Sequence, residues 1–355
     1  MRYMPILKSK PAEYASLARA DVAVRAASLP LVEVLPPPDE SDAVATEIAA
    51  RTVVVKVGDG WSEPVAIDPG HLDVALPSPA GLLPVEVLAD EARTRGVAFM
   101  PVVRLNDPPA ALAAAAGVIA SDRRGAVLRI AGDLLEDTAS LDSWISDTQR
   151  DLGVGGGDLD VVIDLGAVGA GSGFALAARV ARDLINGLSG VTSWRSLTLA
   201  SGAFPTDLNA IATGTTGLLP RLDAQLWADL SSRTLVRVPD FGDYAIQHPS
   251  LPSTGGFGPA PQIRYTVGPN WRIYKGRKND RRGHAQFYDI CAMLLASGEF
   301  AGRALSWGDA YVEDAARSAG GAPVVTTGNA TTWRSIGTSH HIATVVSRLA
   351  TTHAP

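Results

Sequence analysis

An α/β barrel of eight strands, each leading into a helix, is the fold class that this sequence predicts. Three observations carry that expectation. Short apolar strand patterns alternate with amphipathic helical ones along most of the 355 residues. Eight strand candidates can be counted, and charged residues recur where those strands end, which in such a barrel is the functional mouth. A doubly wound open sheet is the alternative, because strand order is not written in a sequence.

The elements follow in order. "YMPILK" at 3–8 reads as the first strand, and "PAEYASLARADVAV" as a helix with Pro11 near its start. "LVEVL" is the second strand, stopped by the prolines at 36–38. Helical "DAVATEIAARTVVV" follows, and residues 57–84 read as an insertion before "LPVEVLADEARTRG" resumes helical periodicity. "FMPVVR" then leads to "DPPAALAAAAGVIASD", "AVLRI" to "TASLDSWISDTQRDLG", and "DVVIDL" to "GFALAARVARDLINGL". "SLTLA" precedes a helix expected around "LLPRLDAQLWADLSS", and "LVRVPD" is the seventh strand. The eighth is expected from 262–275, inside an irregular region at 245–285, although "IRYTV" and "WRIYK" there would also suit a hairpin. A helix at 340–349 closes the chain, and a single barrel domain over 1–355 is the expected organisation.

Composition narrows the function classes. At 46% apolar and 19% charged residues the chain is an ordinary globular one. Its net charge of −6 weighs against a uniformly basic nucleic-acid surface but permits a local basic groove. The opening residues lack a secretory signal pattern, and no apolar run approaches the roughly 20 residues of a membrane span. A soluble, cytoplasmic protein that does not engage a membrane is expected. The single cysteine, Cys291, sits in the apolar helical pattern "FYDICAMLLASG" and reads as packing.

The candidate site gathers at strand ends. Lys8 and Lys10 follow "YMPI", Glu33 lies in "LVEVL", Arg104 follows "MPVV", Arg129 follows "AVL" and Asp164 follows "VVI". Asp240 and Asp243 are placed after the seventh strand, beside Tyr244. Lys8, Arg104 and Arg129 suit phosphate or carboxylate oxygens. Glu33, Asp164, Asp240 and Asp243 suit proton transfer, and Asp240 with Asp243 suit Mg²⁺ if their loop turns both carboxylates inward. The bland reading is that these charges pair with one another inside the barrel.

Familiar motifs fail on inspection. "DFG" at 240–242 lacks the glycine-rich loop and catalytic loop of a kinase. "GVGGG" and "GAVGAGSG" lack the lysine and Ser/Thr of a phosphate loop, no nicotinamide fingerprint is present, and neither HExxH nor clustered cysteines suggest zinc. "NWRIYKGRKNDRRGHAQFYD" places Arg272, Lys275, Arg277, Lys278, Arg281 and Arg282 near Trp271, Tyr274 and Tyr288, a pattern suited to a phosphate backbone with stacked bases. Trp333, Arg334 and His340 in the late polar segment are further candidates for closing the mouth.

Four blocks in order, "YMPILKSKPAEYASL", "PLVEVLPP", "VPDFGDYAIQHP" and "WRSIGTSHHIATV", resemble the bacterial and phage Beta protein family over residues 3 to about 345. Lys8, Lys10, Asp240, Asp243, Tyr244, Trp333 and His340 fall in matching blocks. The resemblance implies a phage and bacterial family without an assigned mechanism, so no catalytic role transfers. The expected function is therefore a phage-related or host-defence protein that recognises nucleic acid or a nucleotide-like phosphate ligand at the barrel mouth. An enzyme acting on a small phosphorylated or carboxylated metabolite is the main alternative, and a scaffold for a protein partner the third.

Overall fold

The computed structural model describes residues 2–135, 137–251, 260–351 and 355. Eleven strands occur among them: β1 (Tyr3–Lys8), β2 (Leu31–Glu33), β3 (Val65–Asp68), β4 (Phe99–Arg104), β5 (Ala126–Ala131), β6 (Leu159–Ala167), β7 (Ser196–Gly202), β8 (Thr215–Pro220), β9 (Asp240–Asp243), β10 (Gln262–Val267) and β11 (Asn270–Lys275). The first seven run side by side in parallel, and β9 closes the circle between β7 and β1. This is the expected eight-stranded barrel. Helices between successive strands wrap its outside, and the last helix, Ala330–Thr351, packs against the first, Pro11–Ala18.

The pleat explains the two sides of the wall. Alternate residues face opposite ways along a strand, so Met4 and Ile6, Leu31, Ala66, Met100 and Val102, Val127, Val162 and Ala200 fill the barrel interior. Their neighbours Leu7, Val32, Ile67, Val103, Leu128, Ile163 and Leu199 pack outward under the helices. One step beyond the interior apolar layer, the same alternation turns Lys8, Glu33, Asp68, Arg104, Arg129 and Asp164 inward at the carboxyl end.

The strand count was right in number but wrong in membership. β3 lies within the expected insertion at 57–84; it has only four residues between Pro64 and Pro69, too few to show alternation. Residues 262–275 supply no barrel strand. They form the hairpin of β10 and β11, extended by β8 into a separate antiparallel sheet. β8 takes Leu218 and Leu219 from a segment expected to be helical, and the true helix begins at Leu222. The seventh strand candidate shrinks to β9, so "LVRVP" is its approach. Of the irregular 245–285 region, 252–259 lies outside the described residues. Among those described, no helix is long and apolar enough to cross a membrane. Cys291 is buried in the helix Gln286–Ala296, as expected, and burial pushes its thiol up from the ordinary range.

Candidate functional site: the barrel mouth

Arg129 is the centre of the inner mouth. It is 4% exposed, so its charge needs partners close by. Its Nη1 donates to Asp68 Oδ2 at 2.5 Å, and its Nε to Asp164 Oδ2 at 3.0 Å. Nη2 lies within 2.9 Å of Glu33 Oε1, Asp164 Oδ2 and the Tyr244 hydroxyl, which itself donates to Asp164 Oδ2 at 2.6 Å. Arg104 adds a second cation, donating from Nη2 to Asp68 Oδ2 at 2.9 Å and from Nη1 to the Gly70 carbonyl. Three carboxylates from β2, β3 and β6 thus share two guanidinium groups.

The electrostatics follow from those contacts. Burial alone would raise the Asp68 carboxyl, but Arg129 and Arg104 outweigh it and bring the group down to about 2. Burial would also raise Glu33, and the His71 ring, Arg129 and Lys8 together hold it below its ordinary value. His71 Nε2 lies 3.4 Å from Glu33 Oε1 and Lys8 Nζ 3.9 Å from Oε2. Asp68 and Glu33 are therefore ionised at neutral pH and act as counter-ions. Asp107 differs: on the loop after β4 it accepts from the Arg104 amide at 2.8 Å, and burial pushes its carboxyl up to about 6.

The strand ends share one local device. Asp68 Oδ1 accepts from the Gly70 amide at 2.7 Å, and Asp164 Oδ1 from the Gly166 amide at 3.0 Å. Each carboxylate is locked by the backbone two residues on while its other oxygen faces Arg129. The glycines are required for different reasons. Gly166 has φ of 62°, and a Cβ on Gly70 would lie 2.1 Å from Arg104 Cζ.

Above this balanced network lies a cationic cleft of about 350 Å³. Lys8, Lys10, Arg264 and Arg334 line it with Gln247 and His248, at the loops that follow β1, β7 and β9. Lys8 is committed: its Nζ donates to the carbonyls of His248 and Pro249 at 2.8 and 3.0 Å. Arg264, on β10, stacks over Phe204 at 4.3 Å and donates to the Ile246 carbonyl at 2.5 Å, while its buried Nε has no partner. The side chains of Lys10 and Arg334 make no hydrogen bond or ion pair with any described residue. Burial lowers Lys10, Arg264 and Arg334 from their ordinary values, and Arg334 adds repulsion to both of the others. Glu13, whose charge acts on Arg334, Lys10 and Lys8, is 1% exposed, neither of its carboxylate oxygens has a hydrogen-bond partner among the described residues, and burial pushes it up to about 6.

The family model described as Beta protein matches residues 3–347, nearly the whole chain. The chain belongs to the Beta protein family. No curated protein matches it. The family blocks that are distant in sequence meet in space. β1 from the opening block pairs with β9 from the central one, Tyr3 and His341 both bond to Asp243 at 2.6 and 2.9 Å, and His341 lies on the final helix.

That meeting point corrects several sequence expectations. Asp240 and Asp243 are not a pair after a strand; they are the two ends of β9. Residues three apart on a strand point to opposite faces and stand about 10 Å apart. Asp240 sits at the amino end, accepting from the Arg2 amide at 2.8 Å, away from the mouth. Asp243 points outward to Arg221, His341 and Tyr3, and those partners bring it down to about 2 against burial. They share no Mg²⁺ site, and no cluster of potential metal ligands occurs among the described residues. Tyr244, one residue on, is the inward-facing member.

His340 and Trp333 are also structural. His340 Nδ1 faces Asp309 Oδ1 at 3.0 Å and Nε2 faces the Thr266 carbonyl at 2.8 Å, while Trp333 stacks on Phe287 at 4.4 Å. The basic segment is not a stacking platform. Trp271, Tyr274 and Tyr288 are buried, Arg272 pairs with Glu299, and Lys275 donates to the carbonyls of Leu208 and Ile211. Sequence reasoning missed Asp68, His71, Asp107, Glu13 and Arg264. One signal was present: "VAIDPG" at 65–70 repeats the pattern of "VVIDLG" at 161–166.

Proposed function

We propose that the barrel mouth binds a small phosphate-bearing ligand of the nucleotide type. The observation that carries this reading is the outer cleft, where the side chains of Lys10 and Arg334 face open space with no hydrogen-bond or ion-pair partner among the described residues. Leaving such donors unpaired and partly buried is costly unless an anion arrives. The position supports it too, since loops after the last two barrel strands are a recurrent phosphate site in this architecture. The volume suits a small ligand rather than a duplex. For the phage-related or host-defence protein this reading envisages, a free nucleotide or a strand end is the natural occupant.

The inner network supports a supporting role for Glu33, Asp164 and Arg129, whose charges are already matched. Calorimetric titration with inorganic phosphate, nucleoside phosphates and short single strands tests the reading. Saturable binding that Arg334→Ala weakens about tenfold is expected. No binding of any of these at low salt overturns it. Asp107 favours a second, catalytic reading, because a largely buried carboxyl pushed up to about 6 on the loop after β4, next to Arg104, suits proton transfer. Turnover of a phosphorylated metabolite that Asp107→Asn abolishes, with binding retained, would establish that alternative.

A further inference from the structure

We propose that the cleft is built for a dianionic phosphate monoester and discriminates against a monoanionic diester. This inference rests on the reading of the mouth as a phosphate site and adds the ligand's chemical class. It follows from counting which charges remain unanswered.

Lys8 is already answered. Two carbonyls accept from its ammonium, and Glu33 lies 3.9 Å away. Glu33 belongs to the Arg129 network, so the inner mouth exports little net charge to the cleft. The remaining cations are Lys10, Arg264 and Arg334. Glu13 is the carboxylate whose charge acts on Lys10, Arg264 and Arg334 alike. Its carboxylate forms no hydrogen bond with any of them, and neither oxygen has a hydrogen-bond partner among the described residues. Three formal positive charges against one negative leave an excess of two. A monoester phosphate brings two charges at alkaline pH, whereas a diester brings one.

The donors also have the right form. Arg264 lies over the Phe204 ring and is anchored through Nη1 to the Ile246 carbonyl, so its guanidinium is fixed in place at the cleft. Arg334 projects from the final helix and Lys10 from the loop after β1, approaching from two other elements. Convergent donors from three elements suit the three terminal oxygens of a monoester, and a diester has only two such oxygens to offer. His248 adds a neutral donor: its Nδ1 accepts from the Ser250 amide at 3.1 Å, which leaves the ring proton on Nε2. No carboxylate is among the described residues that line the cleft, so none of them repels the second charge.

The experiment uses the full chain and matched ligands. At pH 8, adenosine 5′-monophosphate and adenosine 3′,5′-cyclic monophosphate are titrated into the parent protein and Arg334→Gln by calorimetry, beside inorganic phosphate. The open monoester is expected to bind at least about tenfold tighter than the cyclic diester, and Arg334→Gln to reduce that ratio severalfold. A short single strand carrying a 5′-phosphate is expected to bind more tightly than the same strand without it. Equal affinity for monoester and diester overturns the proposal while leaving the phosphate reading intact. Equal affinity of the two strands overturns it in the same way. If inorganic phosphate and both nucleotides all fail to bind, the phosphate reading falls and this inference with it.

Discussion

Replacing Arg129 by Met tests whether the inner mouth is a mutual charge network. The substitution keeps side-chain bulk but removes the guanidinium that bonds to Asp68, Asp164 and Glu33. Arg104 and Lys8 remain, and neither reaches Asp164 within ion-pair distance. Breaking a buried pair from one side costs roughly 3–5 kcal/mol, a large part of the 5–15 kcal/mol that typically separates folded from unfolded domains. The pH dependence has a definite sign. In the parent, Asp68 is held below its unfolded value, so its contribution is intact at pH 5 and above. In Arg129→Met the orphaned carboxyls are raised by burial, and their penalty is relieved as pH falls through their new, higher values. Urea unfolding followed by circular dichroism should therefore show a deficit of about 3–5 kcal/mol at pH 8 that shrinks at pH 5. If Arg129→Met fails to fold, Arg129→Lys should fold with a smaller deficit. A parent-like midpoint for Arg129→Met at pH 8 would refute the reasoning.

Other outcomes follow from the same contacts. Gly70→Ala should drive Arg104 from its seat, because the new Cβ lies 2.1 Å from the guanidinium carbon; a loss of about 1–3 kcal/mol in thermal or urea unfolding is expected. The parent should lose roughly 2 kcal/mol from Asp68 alone as pH falls from about 5 toward about 1, measurable as a falling urea midpoint. Asp240→Asn should leave nucleotide affinity unchanged by calorimetry, since that carboxylate bonds to Arg2 at the far end of β9. Arg272→Gln should likewise spare binding and cost no more than about 1 kcal/mol, because it removes a partly exposed pair with Glu299.

How much was legible can be traced residue by residue. Lys8, Glu33, Arg104, Arg129 and Asp164 were readable because a charged side chain ending an apolar alternation must face the mouth of a closed parallel sheet. Asp68 obeys the same rule but ends a strand of four residues between prolines, so the alternation had no length in which to show. Asp243 was misread because the strand begins five residues later than "LVRVPD" suggested, which turns it outward and Tyr244 inward. Arg264 and Glu13 were beyond reach. They come from a separate hairpin and an outer helix, and only tertiary packing brings Arg264 to the cleft of Lys10 and Arg334 and the Glu13 charge within their range. The basic segment shows the converse: its composition suggested a nucleic-acid surface, but its aromatic residues are spent on the small sheet's core.

Locating a bound phosphate tests the central claim most directly. In crystals grown with adenosine 5′-monophosphate, the phosphate should lie in the cleft, with oxygens about 3 Å from Lys10 Nζ and the Arg334 guanidinium. A phosphate held instead at residues 275–282, with the cleft empty, would contradict the account.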